Sequence, residues 1–253
     1  MAGNFLWWVC IILEATLLVR GFSSGLAKKY RLFYAYIIII LTSEVIRLLF
    51  YLFAQDRYRS VYWYTELATV VASYAVIIEI WHQGLRHYPV LSKRITLLLW
   101  IIFAITVSYA SCSLVASQFV LLLRVAADLG RDLRFVEGAL LLIMLWFFGR
   151  HRIPLGRNLG GISIGAAIWI GANVINMAFL SLPGQNFSKF LRGLLPIIYF
   201  IALVIWCQSL WMPVPASASR FASEPEENLA LVTSKTRAIV NGISYRFLKA
   251  LKQ

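Results

Sequence analysis

Seven long apolar stretches, separated by short basic connectors, decide the solvent in which this chain can fold. A helix crossing the hydrocarbon core of a bilayer needs about 20 mostly apolar residues at 1.5 Å per residue. The stretches fall at 5–20, 33–54, 62–81, 95–116, 127–149, 159–181 and 191–211, the first being the shortest. Hydrophobic residues make up 60% of the chain and charged residues 14%, so a multi-spanning membrane protein is expected. The fold class read from this is all-α, a polytopic bundle of seven transmembrane helices. Over 253 residues the spans leave no room for a second folded domain, so residues 1–211 are read as one membrane domain.

A net charge of +13 in a soluble chain would point to nucleic acid. Here Lys and Arg gather at span ends and in connectors, where topology and anionic headgroups account for them, so no nucleic-acid partner is expected. One side collects Arg20, Lys28, Lys29 and Arg31, then Arg86, Lys93 and Arg94, then Arg150, Arg152 and Arg157. The tail adds Arg220, Lys235, Arg237, Arg246, Lys249 and Lys252 to that side. The opposite side has Arg57, Arg59, Lys189 and Arg192, with Arg124, Arg131 and Arg134 granted to it, fewer than half as many. The N-terminus is therefore expected outside and the tail in the cytoplasm. Trp7, Trp8, Tyr62, Trp63, Tyr64, Trp81 and Trp211 stand at span edges, where interfacial aromatic belts form. The N-terminus has no basic n-region and Glu14 interrupts its apolar run, which reads as a retained span rather than a cleaved signal.

After the last span, Pro213, Pro215 and a Ser/Ala-rich run lead to Glu224, Glu226 and Glu227, a flexible linker over 212–233. From Ser234, Val240, Ile243, Phe247 and Leu251 recur at helical spacing among basic residues. A basic amphipathic helix over 234–253, lying on the inner leaflet, is expected. A frayed basic tail and a helix that docks a cytoplasmic protein are the alternatives. The partners expected are the bilayer, its anionic headgroups on the cytoplasmic face and such a cytoplasmic protein.

Charges inside spans are costly, and each needs a partner or a wet cavity. Glu44 and Arg47 stand three apart, close enough to pair along one helix. Glu66, Thr69 and Ser73 share a face of the third span. Glu66 falls where snorkelling to the outer interface would satisfy it, and Glu79 where headgroups at the inner edge would. Glu14 has no neighbouring base and should pair across to another helix. The densest set opens the fifth span: Arg124, Asp128, Arg131, Asp132, Arg134 and Glu137, with Asp128–Arg131 and Arg134–Glu137 at pairing distance. Its bland reading is a charged helix end that neutralises itself. Its functional reading is a polar funnel from the outer face, offering both signs to a ligand. Glu137, followed by the small Gly138 and Ala139, is the first choice for a buried functional carboxylate.

In the sixth span, Gly161 and Gly165 form a GxxxG that favours close packing within the bundle. Asn173 and Asn176 lie three apart there, for interhelical hydrogen bonds or ligand contact. Tyr199, Gln208 and Ser209 are polar handles in the seventh span, which Pro196 is placed to bend. Cys10, Cys112 and Cys207 lack metal or disulfide spacing and read as small packing residues.

Several chemistries lack their residues. The seventh span has no Schiff-base lysine, and His82, His87 and His151 sit at the inner edge, which disfavours haem or intramembrane zinc. There is no GxSxG elbow and no P-loop. No cofactor, metal or enzymatic activity is expected.

The helix count and orientation resemble the seven-helix receptors, but the third span ends Glu79-Ile80-Trp81-His82, without an acidic-Arg-aromatic triplet. Pro196-Ile197-Ile198-Tyr199 mimics a PxxY at the wrong depth. The run Arg131 to Gly138, Phe147-Phe148-Gly149-Arg150, Gly160 to Gly165, and Tyr62-Trp63-Tyr64-Thr65-Glu66 resemble an uncharacterised bacterial family of seven-span membrane proteins. That resemblance implies a bacterial inner-membrane location and brings no activity. Two function classes are expected from the residues: a sensory or signalling-accessory bundle with an outward polar funnel and a basic docking face, or a small-solute or ion transporter using buried carboxylates. The absence of a convincing internal repeat or mid-span proline favours the first.

Overall fold

The computed structural model describes residues 2–86, 88–115, 122–151, 153, 155–180 and 185–211. The linker expected over 212–233 and the tail helix over 234–253 lie outside these residues. The described chain is all helical: α1 (Ala2–Ser23), α2 (Leu26–Lys29), α3 (Arg31–Phe53), α4 (Gln55–Gly84), α5 (Pro89–Val115), α6 (Leu122–Arg150), α7 (Gly156–Leu180) and α8 (Gln185–Leu210). Each of the seven apolar stretches falls on one long helix, and α2 is a single turn inserted before α3. Gly25, at φ 72°, makes the left-handed turn that lets the chain reverse out of α1.

Six of the long helices, α1, α3, α4, α5, α7 and α8, are long and apolar enough to cross a membrane. This is the build of a helical membrane protein. α6 differs because its first half carries the charged set that starts at Arg124, although it begins earlier than the expected residue 127. Its outward surface is nonetheless apolar further along, with Leu142, Ile143 and Trp146 well exposed. Phe53, at 82% exposure, and Val19, at 71%, continue the apolar exterior that a helix bundle in water would bury.

The helices pack as a ring in the order α1, α3, α4, α6, α7, α8, and α8 returns to α1. α5 lies outside the ring, against α4 and α6. Small residues let α7 and α8 pack closely. A Cβ at Gly161 would strike Ser209, and one at Gly165 would strike the Trp206 indole, whose Nε1–H donates to the Ile162 carbonyl at 3.2 Å. The GxxxG thus packs within the bundle. Gly138 on α6 similarly leaves room for Val174 of α7.

We call the end where α1 begins the near end and the opposite one the far end. At the far end, Arg20 donates twice to the Trp211 carbonyl, at 2.9 and 3.1 Å, closing the terminal turn of α8 against α1. Glu79, expected to face headgroups, is instead buried there. Its two carboxylate oxygens accept the backbone N–H groups of Leu32 (3.1 Å) and Phe33 (2.8 Å). The first turn of α3 has no side-chain cap of its own, so the carboxylate of α4 meets its orphan donors and its dipole. Trp81 is likewise no belt residue: it is buried with its ring 5.6 Å from Phe147 and 5.2 Å from Phe148.

Candidate functional site

The near half of the ring holds a polar cluster built by five helices. Arg47 of α3 turns toward α4 instead of pairing with Glu44 along its own helix. Its Nε donates to Thr65 Oγ1 at 2.7 Å, its terminal nitrogen to Glu66 Oε2 at 3.1 Å, and its guanidinium lies 4.6 Å over the Tyr62 ring. Arg134 of α6 donates to the other oxygen of Glu66. Glu66 therefore does not snorkel. It is the acceptor between two arginines from two neighbouring helices, and its side chain is only 15% exposed. In a low-dielectric interior a cross-helix carboxylate that satisfies both guanidinium groups outcompetes an in-helix pair that satisfies one.

The expected pairing of Arg134 with Glu137 fails for the same reason. Glu137, fully buried, accepts from Ser73 of α4 at 2.7 Å, and its second oxygen has no partner. It does face the interior of the ring. Glu44 accepts from the Trp7 indole of α1 at 3.0 Å. Glu14 crosses to α8 as expected, where the Tyr199 hydroxyl donates to one of its oxygens; the other is unmet.

Two hollows that share wall residues sit on this cluster. The inner cavity, of about 180 Å³, is walled by Tyr36, Ser43, Glu44 and Arg47 from α3 and by Glu66, Thr69 and Ser73 from α4. Arg134, Trp169, Asn173 and Tyr199 complete it from α6, α7 and α8. The second hollow, of about 310 Å³, shares Glu44, Arg47 and Tyr62 with it and extends past Trp7, Tyr51 and Tyr58 to the turn between α3 and α4. It forms a vestibule at the near end. Trp7 and Tyr62, expected in an interfacial belt, are two of its walls.

Of the expected polar set, the structure brings Glu44, Arg47, Glu66, Arg134 and Asn173 to the cavity wall, with Glu137 and Glu14 buried nearby. Asn173 spends its amide on the Trp169 carbonyl at 2.8 Å, and Asn176 is buried with its Oδ1 unmet. Arg131 and Asp132 do not join them: both are partly exposed, with Arg131 Nε 3.4 Å from Asp132 Oδ1. The side chains of Arg124 and Asp128 lie outside the described residues. The funnel is thus walled chiefly by α3 and α4, and the charged opening of α6 contributes Arg134 alone. Sequence reasoning missed Tyr36, Thr65 and Trp169, which nothing in their spacing separates from ordinary core or interfacial residues. Among the described residues no group of three or more His, Cys, Asp or Glu could hold a metal ion. No family model, curated protein or solved structure matches this chain.

Proposed function

We propose that the protein spans the membrane seven times, with its N-terminus outside and its tail in the cytoplasm, and senses a small polar solute in the near-end cavity. Counting α6 as a span rests on its amphipathic build: Arg134 and Glu137 are buried while Leu142, Ile143 and Trp146 face outward. The basic residues of the far end and tail would engage anionic headgroups and a cytoplasmic protein. The proposed location is the cell membrane, a bacterial inner membrane if the resemblance holds. No catalytic role is part of this reading.

The observation that carries sensing over transport is the plug beneath the cavity. Phe33, Ile37, Ile77, Met144, Leu203 and Trp206, each at most 1% exposed, fill the ring on its far side. A ligand can enter and be read by helix movement without a passage through. The competing transporter reading draws on Glu14 and Glu137, two buried carboxylates that each keep one oxygen unmet. A single-cysteine variant decides between them: Thr69→Cys on the cavity wall, with Cys10, Cys112 and Cys207 replaced by Ala. A sensor leaves this thiol open to a membrane-impermeant reagent from outside only, in every condition. Labelling from both faces would establish alternating access and overturn the reading.

A further inference from the structure

Building on the sensing cavity proposed above, we infer that its ligand is a small zwitterion, whose carboxylate lies on Arg134 and whose ammonium lies on Glu44. The first ground is charge placement. On the cavity wall, Arg47, Glu66 and Arg134 form one hydrogen-bonded group of two cations and one anion, while Glu137, the other carboxylate near Arg134, is bonded to Ser73 and lies off that wall. Glu44 lies on the same cavity, takes its hydrogen bond from a neutral indole, and has no cation bonded to it there. The cavity wall thus carries both a cationic group and a carboxylate outside that group, and its charged side chains sum to zero. A simple anion or a simple cation would leave one of the two unmet inside a bundle where unmet charge is costly; a dipolar molecule meets both at once.

The second ground is independent of charge counting. Arg134 is 4% exposed, and its Nε–H has no acceptor, while one terminal nitrogen of the fork donates to Glu66. A guanidinium edge held in place by one carboxylate and missing its second acceptor is suited to a ligand carboxylate. Glu137, the nearest alternative acceptor along α6, is bonded to Ser73 instead. On the same cavity wall, Tyr36, Trp169 and Tyr199 offer aromatic surface for a short carbon skeleton or for the ammonium itself. The volume of about 180 Å³ limits the ligand to a few carbons.

The test uses the full-length protein in nanodiscs, with thermal unfolding and calorimetric titration. The probes are L-alanine, L-leucine, β-alanine and 4-aminobutyrate, each beside the amine and the carboxylate of matching carbon count. At least one zwitterion should raise the unfolding temperature and bind at least tenfold more tightly than either of its single-charge analogues. Glu44→Gln and Arg134→Gln should each weaken that zwitterion at least tenfold. Because Arg134→Gln can unfold the bundle, Glu44→Gln also carries a specificity readout: it should reduce zwitterion binding while leaving the weak binding of the matching carboxylate unchanged. Equal binding of a zwitterion and its carboxylate, or of a zwitterion and its amine, overturns the proposal in favour of an anion or cation site. No binding by any probe also overturns it; one-sided labelling of the Thr69→Cys variant would still leave the sensing cavity standing.

Discussion

Arg134 of α6 donates to Glu66 of α4, and that one contact ties two neighbouring helices of the ring through a pair of charges inside the bundle. The same carboxylate holds Arg47 of α3, so three consecutive members of the ring depend on it. Glu66→Gln should therefore be far more costly than its partial exposure suggests. Removing one partner strands the other charges in a desolvated site, a loss of about 3–5 kcal/mol. Thermal unfolding in detergent should show a large drop in midpoint, and Arg131→Gln, which weakens only a partly exposed ion pair with Asp132, should lower it far less.

The α7–α8 seam gives a sharper, purely steric expectation. Gly165→Ala places a methyl group into the Trp206 indole, and overpacking of this kind costs about 1–3 kcal/mol. Gly171 lies on the same helix with open space at its Cβ position, so Gly171→Ala should be neutral or gain about 0.5–1 kcal/mol of helix stability. The two midpoints, measured side by side, should move in opposite directions or differ by several degrees.

Tyr199→Phe removes the hydroxyl that meets Glu14 and leaves both carboxylate oxygens unmet in a fully buried position. A loss of about 1–3 kcal/mol is expected. In a double-mutant cycle with Glu14→Ala the two losses should fall short of additivity, because each change removes the same bond. Additive losses would mean the two side chains do not interact.

At the far end, Glu79→Ala deprives the start of α3 of its only carboxylate cap among the described residues, worth about 1–2 kcal/mol. Hydrogen exchange should accelerate at the amides of Leu32 and Phe33 first. Unchanged protection at those two amides would count against the capping role.

Reporter fusions after Ala54, Ala116 and Trp211 test the orientation. Outward signals are expected at the first two and a cytoplasmic signal at the third. A cytoplasmic signal at Ala54 and Ala116 would invert the whole assignment and put the cavity on the inner side.

The helices themselves were legible because an apolar run of sufficient length has few other ways to satisfy its backbone in lipid. All seven long helices coincide with the runs, and the Gly161–Gly165 spacing announced a packing seam. The pairings were not legible. Glu44 with Arg47, and Arg134 with Glu137, look like partners along the sequence because only in-helix neighbours are visible there. In the folded ring, Arg47 and Arg134 both go to Glu66 and Glu137 goes to Ser73, since a partner on the facing helix lies where the side chain points. Glu79 shows the same limit: a carboxylate near a span edge looks solvated until the start of another helix is brought against it.

The bond between Glu14 and Tyr199 joins residues 185 positions apart, and Arg20 with Trp211 spans 191. Both tie α1 to α8, the two ends of the described helical ring. While the ribosome is still producing the intervening helices, Glu14 has no mate and α1 no second neighbour in the ring. α1 must then wait, carboxylate unanswered, until α8 arrives. Closure of the ring therefore returns to the helix with which the ring opens, and a chain that stops before Tyr199 leaves the Glu14 carboxylate without that hydroxyl.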